Sequence, residues 1–95
     1  MLELLDVFEL KERGTILYCK DNKFDNMSKD EVSDYISKIH KIKIYDKNLK
    51  EQECGIKNHD VMLSLSDKIA VALLIDDIKI NNTNIMIPSE ITVLN

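Results

Sequence analysis

The sequence predicts a mostly-β domain, a small closed barrel or a sandwich that carries one α-helix. Three observations predict it. Six or seven short apolar runs lie between turn-forming residues along the 95-residue chain. At 44% apolar residues, no Trp and 5% aromatics, the core falls to aliphatic side chains, and the β-branched Ile and Val suit pleated surfaces. A single segment repeats its apolar residues at helical spacing.

Leu2 to Leu10 alternates loosely as a strand, with Val7 and Phe8 at its apolar centre, and Thr15 to Cys19 is a second run. Lys11-Glu12-Arg13-Gly14 between them reads as a hairpin turn, in which Gly14 supplies the positive φ of the closing residue. Residues 20 to 27 are polar. Ser28-Lys29-Asp30-Glu31 then matches a capping box, and Val32, Tyr35, Ile36 and Ile39 follow at i, i+3, i+4 and i+7. This predicts an inserted helix over about 28–40, with Lys38, His40 and Lys41 near its end to complement the dipole.

From Lys41 the period changes to two, placing Ile42 and Ile44 on one face. Asp46 to Gln52 is a polar connection. Glu53 to Ile56 resumes a strand, with a bulge or a close backbone approach at Gly55. Val61, Leu63 and Leu65 alternate, Ser66-Asp67-Lys68 turns, and Ile69 to Ile75 is an almost unbroken apolar strand covered on both faces. Ile85 to Ile87 and Ile91 to Leu94 read as short strands on either side of Pro88. No repeat or linker interrupts the chain, so residues 1–95 form one domain.

Thirteen basic and seventeen acidic side chains give a net charge of −4, which counts against non-specific nucleic-acid binding. Between Lys38 and Lys50 the balance reverses, with Lys38, Lys41, Lys43, Lys47 and Lys50 against Asp46 alone. A solvated strand face explains that run more simply than a phosphate-binding stripe. Cys19 and Cys54 form no CxxC pair and read as buried thiols of a reducing cytoplasm. The apolar run Ile69 to Ile75 is too short to span a bilayer, so no membrane partner is expected.

"DVFELKERGTIL" resembles the opening hairpin of the second domain of translational GTPases such as elongation factor Tu. "ECGIKNHD" is similar to that family's Gly-Val-Glu strand, and "KIAVALLIDDIKINNTNIMIPSEITVL" to its closing segment. The resemblance covers nearly the whole chain apart from residues 20 to 40. It implies a six- or seven-stranded antiparallel β-barrel of the translation-factor domain 2 type, standing without the GTPase domain. No GxxxxGK[ST] loop is present, so GTP hydrolysis is not expected. In the family a pocket on this domain receives the terminal adenosine of aminoacyl-tRNA. Asp6, Ile16 and Leu74 match that pocket, whereas Leu5 and Lys57 replace its two acidic positions. Tyr45 also stands before Asp46 where the family has Gly. The resemblance thus marks Asp6, Ile16, Lys57 and Leu74 as a candidate ligand pocket, whose expected occupant is not the adenosine, since its polar handles are gone.

The chemistry-bearing residues do not assemble into a motif. Cys19, His40, Cys54 and His59 lack the close spacing of structural zinc ligands, so no metal or cofactor is expected. His59-Asp60, with Ser64 or Ser66 near, has no nucleophile-elbow context, and Asp76-Asp77 reads as a solvated corner. Met62 and Met86 read as core filling. Tyr18, Tyr45 and Phe24 are the aromatics of interest. Phe24 either packs down as a staple for the inserted helix or stands out as an anchor for a partner. Tyr18, Phe24, Lys41, Lys43 and Lys47 make up the candidate partner surface. The expected role is a non-enzymatic, cytoplasmic binding module for a protein, in association with translation factors. Two other roles remain open: an acidic immunity protein that neutralises a nuclease toxin, and an RNA-binding barrel that uses the lysine face.

Overall fold

A computed structural model describes residues 1–63, 66–75 and 82–94 of the chain. Seven strands form: β1 (Glu3–Leu10), β2 (Gly14–Lys20), β3 (Lys41–Tyr45), β4 (Glu51–Leu63), β5 (Ile69–Ile75), β6 (Ser89–Glu90) and β7 (Thr92–Val93). Every pairing is antiparallel, in the order β6-β1-β2-β5-β4-β3-β7. β6 and β7 are two ends of one stretch separated by Ile91, so the two edges of the sheet are joined and the strands form a nearly closed barrel. Closure leaves little edge for other chains to pair with. The inserted helix, α1 (Lys29–Ser37), follows a 3-10 turn at Asn22–Asn26.

Two strands carry one extra residue each. In β1 the register advances from Leu4 opposite Cys19 to Asp6 opposite Tyr18, which makes Leu5 a β-bulge. In β4 it advances from Ile56 opposite Ile75 to Asn58 opposite Leu74, which makes Lys57 the second bulge. Both bulges reset the alternation, because a one-residue slip moves every later side chain to the opposite face. Leu4 points inward, and after the bulge Val7 packs against the core while Phe8 turns out, 50% exposed. Ile56 likewise packs inward, followed by Val61, while Asn58 and Asp60 face out. β4 is continuous through Gly55, so the irregularity expected there falls at Lys57 instead.

The core is built from the inward sets of the strands, among them Leu4, Leu17, Ile42, Ile44, Leu73 and Ile75. Cys19 and Cys54 are buried within it as free thiols, and burial pushes the Cys19 thiol well above its ordinary value. β3 pairs only with the first part of β4, up to Gly55, and α1 packs against β4 beyond it. Val32, Ile36 and Ile39 are buried, and Tyr35 packs partly buried beside them.

The helix begins as its sequence indicates. Ser28 Oγ accepts from Glu31 N at 3.1 Å, and Glu31 Oε1 accepts from Ser28 N at 3.1 Å, so both halves of the capping box form. Its end differs from the expected 28–40. Ordered α-helix stops at Ser37, and His40 and Lys41 lie outside it. Ser37 Oγ donates to Asp34 O at 2.7 Å, and Ile39 N donates three residues back to Ile36 O, which tightens the last turn. His40 O already accepts from Ile56 N at 3.0 Å, one residue before β3 begins.

Of the two expected C-terminal strands, Ile91 to Leu94 holds β7, whereas Ile85 to Ile87 does not pair as a strand. Ile85 makes an isolated bridge to Asp46, and pairing resumes at Ser89, after a cis Ile87–Pro88 peptide. Among the described residues, no helix is long and apolar enough to cross a membrane.

Candidate functional site

The two bulges decide what the outer face of the β1-β2-β5-β4 sheet presents. Across its four strands, Phe8, Ile16, Leu74 and Asn58 stand in one cross-strand row. Asp6, Tyr18, Ala72 and Asp60 form the adjacent row. Directly opposed side chains on one face lie about 5 Å apart, so Phe8, Ile16, Leu74 and Tyr18 make a continuous apolar band. Ile16, Tyr18, Ala72 and Leu74 are half-buried, and Phe8 is the most exposed of them. Carboxylates Asp6 and Asp60 border the band at its two ends.

The candidate pocket residues thus divide. Ile16 and Leu74 are cross-strand neighbours, while Asp6 on β1 and Lys57 on β4 stand on opposite borders of the sheet. Three inter-strand spacings separate those borders, roughly 14 Å, too far to grip one small polar group from both sides. The four residues frame a band rather than a cup. Each bulge also places an Asx residue next to a strand amide. Asp6 Oδ1 accepts from Val7 N and Asn58 Oδ1 from His59 N, both at 2.8 Å. These side chains satisfy amides within their own strands.

The candidate partner surface divides too. Tyr18 lies on the outer band of β2. Phe24 is fully buried, with its ring edge-on to Tyr35 at 6.1 Å between centroids, so it takes the packed position and not the exposed one. Lys23 extends over the Tyr35 ring at 3.8 Å and covers that pair from outside. Lys41 and Lys43 are on β3 and Lys47 is in the following turn. Lys43 lies opposite Glu53, and its ammonium is 3.2 Å from the Glu51 carboxylate, so acidic side chains offset part of this basic run. Asp46 orders the turn by accepting from Asn48 N at 2.8 Å and Lys50 N at 2.9 Å.

His59 opposes Leu73 and Asp60 opposes Ala72, so the two side chains leave opposite faces of β4. His59 Nε2 lies 3.0 Å from Ser33 Oγ of α1 and ties the helix to the strand beneath it. Ser64 and the Asp76-Asp77 pair lie outside the described residues. Among the described residues, no three His, Cys, Asp or Glu side chains come together as metal ligands.

Phe8 is the member of the band that sequence reasoning placed at the centre of a strand without giving it a face. The signal was the odd spacing from Leu4 to Val7, which a regular strand cannot bury on one side. Comparison of the chain with protein-family models, with curated proteins and with solved structures finds no match in any of the three.

Proposed function

We propose that this chain is a non-catalytic, cytoplasmic module that binds a protein through the outer band of the β1-β2-β5-β4 sheet. The single observation that carries the reading is Phe8. A phenyl ring 50% exposed on a strand, with Ile16, Tyr18 and Leu74 beside it, is the composition of an interface centre. Aromatic anchors ringed by polar groups account for most of the energy in such interfaces. The net charge of −4 and the pairing of Lys43 with Glu51 favour protein over RNA. The separation of His59 from Asp60 supports a non-catalytic role. Resemblance to translation-factor barrels suggests that the partner is a translation factor or a protein that binds one.

The test is stoichiometric capture from the native host with the wild-type chain, Phe8→Asp, and Lys43→Glu/Lys47→Glu. A partner should be retained by wild type and by the lysine variant, and lost at least about tenfold with Phe8→Asp. Because Phe8 is half exposed, its thermal midpoint should change little. Retention of the partner by Phe8→Asp would remove the band from the interface. Salt-sensitive RNA recovery lost in the lysine variant would favour the RNA-binding alternative.

A further inference from the structure

A second feature lies at the Leu63 end of β4, beyond the bulge at Lys57. A groove of about 370 Å³ opens between the 3-10 turn and the β4–β5 ends. Buried Phe24 and Ile69, half-buried Met27 and Leu63, 56% exposed, line it. Asp25 and Asp67 line it as well, both exposed, and Asp67 has its backbone in the left-handed region at φ 60. Lys68 also borders the groove and already has a partner within the chain.

We infer that this groove receives an arginine side chain of the protein partner. The inference rests on the protein-binding reading but uses a different surface. Apolar lining side chains together with two exposed aspartates match a side chain whose stem is aliphatic and whose tip is cationic. Arginine suits them better than lysine, because its planar fork meets carboxylates in a fixed geometry and is more weakly hydrated. Methionine adapts its shape to such a stem. The volume is at the small end for ligand sites and fits one inserted side chain better than a larger molecule. The overall charge of −4 draws basic surfaces toward the chain before contact.

The experiment is an NMR titration of isotope-labelled protein with N-acetyl-arginine amide, N-acetyl-leucine amide and N-acetyl-glutamate amide. The arginine probe should give saturable shifts at Asp25, Met27, Leu63 and Asp67 in the millimolar range open to so small a ligand. Asp25→Asn with Asp67→Asn should weaken it at least threefold, and raised salt should weaken it as well. Leu63→Ser should weaken it without changing the salt response. Equal binding of the leucine probe would make the groove a purely apolar site and overturn the inference. Tighter binding of the glutamate probe would assign it to an anion, and no saturable shift would leave no site. Phe8→Asp should leave the arginine shifts unchanged, so failure of the groove and failure of the outer band are read separately.

Discussion

At Gly14 the backbone holds φ +118, outside the range that residues with a Cβ adopt readily. A Cβ there would lie 2.9 Å from the carbonyl oxygen of Ile75 on the neighbouring strand. Two constraints therefore meet at one position, the turn that returns β2 along β1 and the close approach of β5. The turn itself closes through Arg13 N to Leu10 O at 3.0 Å, with Glu12 in the left-handed region at φ 67. Gly14→Ala should destabilise the fold by about 1–3 kcal/mol through backbone strain alone, with the Ile75 contact adding to it. Urea denaturation measures this, and a change within about 0.5 kcal/mol would mean that the turn relaxes freely. Composition and position identified Gly14 as a turn residue. The approach of Ile75 was not legible, because it depends on a strand sixty residues away in the chain.

At the scale of elements, α1 packs on β4 where the pairing of β4 with β3 has ended. β3 ends its pairing with β4 at Gly55, and the helix covers the inward side of β4 from there. Isolated helices of this length are marginal in water, so the nine-residue α1 depends on its buried stripe. Ile36→Ala should therefore cost about 2–4 kcal/mol, measured by the same denaturant series. A cost near zero would show that the helix is not held by that stripe. The helix start was legible because a capping box is local, written in four consecutive residues. Its end was not, since His40 is taken by a hydrogen bond to Ile56 that no local pattern contains. The bulges were legible only in part. Odd spacing from Leu4 to Val7 and from Ile56 to Val61 marks a parity change, but Gly55 draws attention two residues early. The candidate site shares this limit. Ile16 and Leu74 came together through the family resemblance, whereas Phe8 joins them only after Leu5 has shifted the face.

For the whole molecule, closure depends on its thinnest joint. β6 pairs with β1 at two positions and β7 with β3 at two, whereas β2 and β5 pair along five. Ile91, 2% exposed, sits between the two short strands and carries both joints into the core. Its amide donates to Leu2 O at 2.8 Å, and the Leu94 amide donates to Lys41 O at 3.0 Å. Ser89 Oγ, on the same stretch, is buried without a hydrogen-bond partner among the described residues. A segment with few cross-strand bonds and one apolar anchor opens at lower free energy than the centre of the sheet. Native-state hydrogen exchange should therefore release Ile91 and Leu94 amides before those of Leu17, Val71 and Leu73. Ile91→Ala should lower the protection of the terminal stretch by about 2–4 kcal/mol while the central amides move less, because the strand can detach before the barrel unfolds. Equal protection at Leu94 and Leu73 in the wild-type chain would instead show that closing strand and central sheet unfold as one unit.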